Sequence, residues 1–280
     1  MIKAVVNKII DHSVVDGVGN RSVIFFQGCN LNCHYCHNPE TINHCYHCGV
    51  CVTHCPQKAL SFQDDKVVYD RLKCVDCDTC IKVCPYDSSP KTALLSVDDV
   101  LTKIKQNIPF IRGITLSGGE CTLNATFIKA LFKEAKALNL STLLDSNGTY
   151  DFTLDPEILD HCDGVIIDIK AINAHIHQSI TKADNQLIIK NAQYLAQIGK
   201  LTEIRTVVIA NILDNHHTVD QITKLLAPYL TISPISYKLI KYRHFGVRKK
   251  YLYLQEPSDD LMNELQVIAY NNGFNDIILI

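Results

Sequence analysis

Three cysteines lie close together near the start of the chain, in the sequence CNLNCHYC that contains Cys29, Cys33 and Cys36. This spacing allows three thiolates to reach one metal centre without ligands from elsewhere in the chain. Zinc favours four protein ligands in structural sites, and no fourth thiol falls within this loop. A cubane iron–sulfur cluster with one open iron suits three thiolates better, and we expect a small molecule to bind at that iron.

Eight more cysteines form two runs of the pattern C-x2-C-x2-C-x3-C-P, which is typical of bacterial ferredoxins. In those proteins the fourth thiolate of each run completes the cluster of the other run. Two sets of four thiols would also suit structural zinc, but the proline after each last cysteine favours iron–sulfur clusters. Their predicted function is to relay electrons to the cluster bound by Cys29, Cys33 and Cys36, called the Cys29 centre. We therefore predict two 4Fe-4S clusters, one bound by Cys45, Cys48, Cys51 and Cys84 and the other by Cys74, Cys77, Cys80 and Cys55.

Polar residues follow several predicted strands. In the sequence SGGE, Gly118 and Gly119 would let the backbone approach a ligand, and the carboxylate of Glu120 could pair with an ammonium group. Asp145 and Asp168 end neighbouring predicted strands, where two buried acids would raise the pKa of one unless a cation lies between them. Lys170 could supply part of that charge, although Asp-x-Lys at a strand end is equally typical of an ordinary salt bridge.

These residues can form one site only if the fold brings the ends of several strands close together. Strands and helices alternate after residue 90, which implies parallel strands with right-handed crossovers, and functional groups at many carboxyl-terminal strand ends favour a barrel over a doubly wound sheet. The predicted fold class is α/β, a partial (β/α)6 barrel with an inserted ferredoxin-like module. We predict strands at 4–10, 23–27, 113–116, 142–145, 164–169, 203–209 and 235–240, and helices at 96–107, 126–138, 185–198, 218–229 and 258–271.

The composition divides the chain into two parts. From about residue 43 to residue 90, cysteines, prolines and short polar segments replace long apolar periodicity, so we predict a barrel from residues 1–42 and 91–280 and an insert from residues 43–90. The apolar tail, 276–280, has no assigned partner. Ser96 and Asp99 predict a capping-box-like start for the first helix after the insert.

The bulk properties exclude several classes of protein. Formal net charge is −2 without a basic block, so nothing favours a nucleic-acid or anionic-membrane partner. Met1 leads directly into a predicted strand, and we expect a cytoplasmic protein without a signal peptide. Eleven of the thirteen cysteines fall in metal-type clusters, which predicts a reducing compartment. The other two, Cys121 and Cys162, are interpreted as small packed residues.

Cys-x3-Cys-x2-Cys after an apolar strand, with Tyr35 before the third cysteine, resembles the radical SAM signature. The sequences DGVGNR at 16–21 and CHNPE at 36–40 are similar to those of glycyl radical enzyme activases, and the whole pattern most resembles the YjjW-type activases. The resemblance implies a six-stranded partial barrel. It also implies reductive cleavage of S-adenosylmethionine (SAM) to methionine and a 5'-deoxyadenosyl radical, which takes hydrogen from a backbone glycine of a partner enzyme, with electrons from a flavodoxin- or ferredoxin-type donor.

The same resemblance implies roles for individual residues. Gly118, Gly119 and Glu120 lie near the methionine end of SAM, Lys170 reaches its carboxylate, and His244 contacts it. The segment with Tyr35 and His37 packs on the adenine, and Ile169 also belongs to the cofactor-binding set. A monovalent cation would be held by Asp145, Ser146, Asp168 and a backbone carbonyl near Ile166.

Asp16 would bind the partner's glycine loop through its backbone, although Asp16-Gly17 is also a good turn pair. Three positions depart from the family pattern, because Cys121 and Val18 replace prolines and Ser146 replaces a commoner threonine. The sequence leaves two other functions open. The chain could be a radical SAM enzyme that modifies a small molecule, or an electron-transfer iron–sulfur protein.

Overall fold

The structure is a computed structural model that describes residues 2–280, so Met1 lies outside the described part of the chain. The strands are β1 Lys3–Ser13, β2 Arg21–Phe26, β3 Leu60–Gln63, β4 Lys66–Tyr69, β5 Ala93–Ser96, β6 Gly113–Gly118, β7 Ser141–Ser146, β8 Gly164–Asp168, β9 Leu201–Val208, β10 Ser236–Lys241 and β11 Ile277–Leu279. The helices are α1 Val50–His54, α2 Thr79–Lys82, α3 Val97–Asn107, α4 Ala125–Ala137, α5 Ala174–Thr181, α6 Gln186–Gln197, α7 Asn215–Leu226 and α8 Asp259–Asn271.

Nine strands form one mixed sheet in the order β11-β10-β9-β8-β7-β6-β2-β1-β5. Neighbours from β2 to β11 pair in parallel, whereas β1 is antiparallel to both β2 and β5. The predicted α/β class and the six parallel strands β2 and β6 to β10 are therefore present. The apolar tail, whose partner the sequence left open, adds a seventh parallel strand as β11 beside β10.

The sheet curls strongly. The carbonyl of Val15, in the loop before β2, accepts hydrogen bonds from Arg205 on β9 at 3.3 Å and from Lys238 on β10 at 3.1 Å. Those strands are four and five positions from β2 in the sheet order, so only a curved sheet brings them to one loop. The edge strands β5 and β11 are not paired with each other, and the barrel is therefore partial.

Helices cover the outer face of the sheet with apolar stripes. In α4 the buried residues Phe127, Ile128, Leu131, Phe132 and Ala135 lie on one helical face. Complete burial of each larger side chain contributes roughly 1.5–3 kcal/mol to folding. The predicted cap of α3 is confirmed, because Ser96 and Asp99 form a reciprocal capping box. No helix within residues 2–280 is long and apolar enough to span a membrane.

Between residues 43 and 90 the chain forms short elements of its own. Strands β3 and β4 make an antiparallel hairpin, and Cys51, Leu60, Val67 and Cys80 form a small separate core. An isolated bridge between Asn43 and Ser88 joins the two ends of this segment. The sequence did not predict β3, β4, β5 or the helices α1, α2 and α5, because all of these elements are only four to eight residues long.

Candidate active site and cluster-binding cysteines

The three-cysteine loop begins directly after β2 and is held by backbone hydrogen bonds on two sides. Cys29 donates to the carbonyl of Ile42, while Asn32 and His34 donate to the carbonyls of Thr181 and Ile180, each at 2.9 Å. The latter two carbonyls belong to the last turn of α5, where helical carbonyls lack partners within the helix. This short helix, which sequence reasoning missed, therefore fixes the cysteine loop at the carboxyl end of the sheet.

The three thiols lie in a largely desolvated environment. Cys33 is buried and Cys29 and Cys36 are half-buried. Burial raises the pKa of Cys29 and of Cys36 to about 12, and it also raises the pKa of Cys33. Thiolates at these positions therefore need positive charge in place of the proton, as a metal centre supplies.

Lys170 brings a buried ammonium group to this loop. The residue is 8% exposed, and its Nζ donates to Asp168 at 2.9 Å and lies 5.8 Å from the ring centre of Tyr35. Burial alone would lower the pKa of Lys170, but the charge of Asp168 and its hydrogen bond to the ammonium group raise it well above its ordinary value. The lysine therefore stays charged, with one carboxylate neighbour and the thiols of the loop nearby. Ile169, between these residues, is fully buried and packs in the core.

Glu120 faces the loop after β7. Its Oε1 accepts from the Thr122 hydroxyl at 2.6 Å and from the Ser146 hydroxyl at 2.8 Å, and its Oε2 accepts from the backbone N–H of Asn147 at 2.7 Å. Burial raises the pKa of Glu120, and these hydrogen bonds oppose that shift. Glu120 and Ser146 thus bind each other, an arrangement the sequence did not predict.

The glycines of the SGGE sequence permit a close approach between strand ends. Gly118 ends β6, and a Cβ atom on Gly119 would lie 2.1 Å from the carbonyl oxygen of Gly28, so no side chain fits there. The backbone N–H of Gly119 donates to the carbonyl of Phe26 at 3.1 Å. The glycines therefore place the end of β6 against the start of the cysteine loop.

Asp145 lies inside the curled sheet. One of its oxygens accepts from the Ser117 hydroxyl and from Arg205, both at 3.0 Å. Burial raises the pKa of Asp145 to about 6, against the lowering effect of Arg205, and Asp168 and Asp16 raise it further. The two predicted acids are thus electrostatic neighbours, as expected.

The charges that accompany Asp145 were missed in the sequence. Arg205 also donates to Glu203, and Glu203 lies 3.0 Å from the ammonium of Lys238. Alternation along β9 places Glu203, Arg205 and Val207 on one face of the strand. The available signal was a Glu-x-Arg pair, the only charged residues in a strand of apolar and threonine side chains.

The segment after β10 covers the cysteine loop. His37 stacks on Tyr242 at 6.2 Å, and a Cβ on Gly246 would lie 2.3 Å from the His37 carbonyl oxygen. His244 is half-exposed, with Nε2 2.9 Å from the Leu254 carbonyl and Nδ1 3.3 Å from Glu256. Tyr242, rather than His244, is therefore the fully buried aromatic residue next to His37.

Asp16 lies in the loop before β2, and this loop folds back onto the middle of the curled sheet, close enough for Asp16 to act on the pKa of Asp145. The Asp16 carboxylate accepts from the Ser13 hydroxyl at 2.5 Å, and its carbonyl accepts from the Thr115 hydroxyl at 2.6 Å. Three valines of this loop are strongly exposed, Val14 and Val18 at 75% and Val15 at 58%. The loop therefore presents an exposed apolar surface next to Asp16.

The eight ferredoxin-type cysteines line two cavities. One, called the Cys84 cavity, is lined by Cys45, Cys48, Cys51 and Cys84. The other, called the Cys55 cavity, is lined by Cys55, Cys74, Cys77 and Cys80. Each cavity thus gathers three cysteines of one run and the last cysteine of the other. Within residues 2–280, no three His, Cys, Asp or Glu side chains are close enough to bind one metal ion together.

The remaining two cysteines are packed. Cys121 and Cys162 are essentially inaccessible to solvent, and their thiols donate to the carbonyls of Asp145 at 3.3 Å and Gly164 at 3.1 Å. Burial raises the pKa of both thiols, to about 12 for Cys162. These positions agree with the interpretation of both residues as small packed side chains.

Comparison with known proteins places this chain in a family. The family model described as Radical SAM superfamily matches residues 23–226. The chain is 34% identical to the isethionate sulfite-lyase activating enzyme of Desulfovibrio desulfuricans, over 85% of this chain and 82% of that protein. It is 31% identical to the trans-4-hydroxy-L-proline dehydratase activating enzyme of Clostridioides difficile, over 94% and 95%.

Among solved structures, QueE from Escherichia coli superposes with a TM-score of 0.55 at 14% identity, over 99% of this chain and 94% of that one, which supports the fold alone. The two sequence relatives say more about function, because both are activating enzymes and both align with this chain over most of their length. The chain therefore belongs to the radical SAM superfamily and, within it, to the activating enzymes of glycyl radical enzymes.

Proposed function

We propose that Cys29, Cys33 and Cys36 hold the SAM-binding 4Fe-4S cluster and that SAM binds between this loop and Lys170. The observation that carries the proposal is one buried ammonium group facing three buried or half-buried thiols. When bound, the cluster supplies one electron for cleavage of a carbon–sulfur bond of SAM. The chain's own contribution is to orient SAM, to exclude water and to present the partner's glycine.

Unsatisfied polar atoms support a ligand at this place. The hydroxyls of Tyr35 and Tyr242 are buried and have no hydrogen-bond partner within residues 2–280. Buried polar groups normally have partners, so two such hydroxyls in one apolar cluster fit a bound polar ligand. We infer that Tyr35, His37 and Tyr242 border the adenosine part of SAM, with His244 behind them at the surface.

The charged residues of the site have complementary roles in this proposal. Lys170 would bind the SAM carboxylate, while Asp145, Asp168 and a carbonyl at Ile166 would hold a monovalent cation beside it. Because Ser146 donates to Glu120, we assign these two residues to positioning the 145–148 loop, together with Gly118 and Gly119, and Ile169 to packing beneath it. The neighbouring charges of Asp145, which is largely buried, and of the half-buried Asp168 favour a cation, since like charges at close range repel.

For the insert, residues 43–90, we propose two further 4Fe-4S clusters, one in the Cys84 cavity and one in the Cys55 cavity. A zinc site needs four ligands about 2.0–2.3 Å from one ion. Cubane clusters bind each thiolate at a different iron, so their thiolates need not converge on one point. The crossed grouping of three cysteines of one run with the last cysteine of the other is the observation that supports ferredoxin-type clusters.

The partner is a glycyl radical enzyme, and we propose that its glycine loop enters beside Asp16. The exposed Val14, Val15 and Val18 offer an apolar surface around a carboxylate that can accept a backbone hydrogen bond. For the electron source we propose a flavodoxin- or ferredoxin-type protein in the cytoplasm. Reduced thiols in that compartment suit thirteen free cysteines.

The test is anaerobic reconstitution with iron and sulfide, reduction, and addition of SAM with candidate glycyl radical enzymes. An activase gives a stable glycyl radical signal in the partner by EPR together with 5'-deoxyadenosine. Formation of 5'-deoxyadenosine with turnover of a small molecule and no protein radical would contradict the partner assignment. A protein that relays electrons without forming 5'-deoxyadenosine would contradict the SAM assignment.

A further inference from the structure

Arg248 connects the three-cysteine loop to the insert. The residue is 9% exposed, and its Nη2 donates to the carbonyl of Cys33 at 2.6 Å. Its Nη1 donates to the side chain of Asn32 at 2.5 Å and to the carboxylate of Asp87 at 2.9 Å. A single buried guanidinium thus joins a proposed ligand segment of the SAM-binding cluster to the segment that follows Cys84.

Aromatic packing limits the movement of this guanidinium. Its central carbon lies 4.8 Å from the ring centre of Tyr251, and Tyr251 stacks on His34 with ring centres 4.1 Å apart. His34 is the residue after Cys33, so the same loop is held through backbone and ring contacts. A planar guanidinium suits such combined stacking and forked hydrogen bonding, which lysine cannot reproduce.

The insert is tied to the loop on the side of the Cys84 cavity. Asn43, two residues before Cys45, donates through its backbone N–H to the Asp87 carbonyl at 3.2 Å. Gln27, at the end of β2, donates to the Asn43 carbonyl at 2.6 Å. Both chain ends that lead into the Cys84 cavity therefore contact the end of β2 or the cysteine loop.

We propose that Arg248 is a positioning residue for electron transfer. It fixes the Cys84 cavity against Cys33, so that the cluster in this cavity is the direct electron donor to the cluster bound by Cys29, Cys33 and Cys36. This inference rests on the proposed clusters. One electron leaves the reduced cluster in the Cys84 cavity and enters the Cys29 centre, and the flavodoxin- or ferredoxin-type donor replaces it; no bond or proton is transferred. The positive charge of Arg248 next to Cys33 also favours the reduced, more negative state of the Cys29 centre.

Four variants separate position from charge in the fully reconstituted protein. Arg248→Gln removes charge and bridge, Arg248→Lys keeps the charge, Asp87→Ala removes the insert side of the bridge, and Lys249→Gln neutralises an exposed neighbour as the control. Two quantities are measured without any partner enzyme. They are the midpoint potential of the SAM-responsive EPR signal and, by rapid freezing, the rate at which reduced flavodoxin generates that signal.

We expect Arg248→Gln to lower the potential, Arg248→Lys to leave it nearly unchanged, and Asp87→Ala to raise it because a negative charge is lost. All three should slow signal formation by about tenfold, because loss of the bridge lets the two centres move out of position, while Lys249→Gln behaves as wild type. Slower transfer in Asp87→Ala despite a higher potential identifies a positional effect.

Wild-type rates in both Asp87→Ala and Arg248→Lys would overturn the proposal. If Arg248→Gln fails to take up iron, the other two variants decide by the same criteria. A wild-type protein without any SAM-responsive signal would instead refute the proposed SAM-binding cluster, so the two failures are distinguishable.

Discussion

The carboxylate of Glu120 accepts a hydrogen bond from the backbone N–H of Asn147 at 2.7 Å, which joins the end of β6 to the loop after β7. The other oxygen of Glu120 accepts from Ser146 and Thr122. These contacts use both oxygens of a residue that is 1% exposed. The acid after the two glycines therefore acts on the shape of the site through its neighbours.

Replacing Glu120 with Gln should destabilise the protein and weaken SAM binding. An amide NH2 would have to face a hydroxyl or N–H donor, and one unsatisfied buried donor costs about 1–3 kcal/mol. We expect a lower midpoint of thermal unfolding and a weaker Kd for SAM by equilibrium binding. Glu134→Gln, at an exposed position of α4, is the matched control. Wild-type stability of Glu120→Gln would show that these hydrogen bonds contribute little.

Replacing Lys170 with Gln should weaken SAM binding by about tenfold or more, because a charge-assisted hydrogen bond to the SAM carboxylate is lost. Iron content should stay at the wild-type level, since Lys170 is not a ligand. Isothermal titration calorimetry of SAM binding to the oxidised, iron-loaded protein measures this effect. Lys133→Gln, an exposed lysine of α4, controls for loss of charge. Unchanged SAM affinity in Lys170→Gln would place the carboxylate elsewhere.

The pKa of Asp145, raised to about 6 by burial, predicts a pH dependence of SAM binding. Below pH 6 the free carboxyl is mainly neutral and cannot hold a cation, and above it the charged form dominates. Because a bound cation lowers the pKa, affinity in the presence of potassium should rise as pH increases to about 6 and then level off.

The variant Asp145→Asn should lose this rise, whereas titration of SAM itself affects both proteins equally. Binding at pH 5 to 7.5, with and without potassium, provides the comparison. Parallel pH profiles for wild type and variant would remove Asp145 from the cation site.

Much of this architecture follows from local sequence patterns. Alternation of strand-like and helix-like segments predicted β6 to β10, and Ser96 with Asp99 predicted the start of α3, because these signals depend on residues near in sequence. The tail was recognisable as apolar, but its pairing with β10 depends on the return of α8 over the sheet. Which strand it pairs with depends on tertiary structure, and the local periodicity of the sequence does not determine it.

The candidate site was predictable where spacing itself carries chemistry, as with the eleven clustered cysteines. The role of α5 was not, since its contribution is two backbone carbonyls that hold Asn32 and His34. Arg248 was missed for a related reason. Its partners Cys33 and Asp87 lie 215 and 161 residues away in the chain, so no local pattern marks it.

The crossed pairing of the ferredoxin-type cysteines can be tested by counting iron in double Ser variants. Cys55 and Cys77 line one cavity, so Cys55→Ser with Cys77→Ser should cost the iron of a single cluster. Cys84 lies in the other cavity, and Cys84→Ser with Cys77→Ser should cost the iron of two clusters. Uncrossed pairing predicts the reverse result for these two variants. Iron analysis and EPR after reduction distinguish the cases.

Asp16 provides a test of where the partner enzyme binds, separate from SAM chemistry. In the variant Asp16→Asn the amide can still accept from the Ser13 hydroxyl, so the loop should keep its fold. Loss of the charged acceptor should reduce the rate of glycyl radical formation by about tenfold, because hydrogen bonds to charged groups are worth roughly 1.5–3 kcal/mol. The slow formation of 5'-deoxyadenosine without a partner should be unchanged, since Asp16 is hydrogen-bonded to Ser13 and Thr115 and, within residues 2–280, to none of the residues assigned to the cluster or to SAM. Asp260→Asn, on the exposed side of α8, is the control. Equal losses in both reactions would show that Asp16 acts on the barrel itself, and equal wild-type rates would place the glycine loop away from residues 14–18.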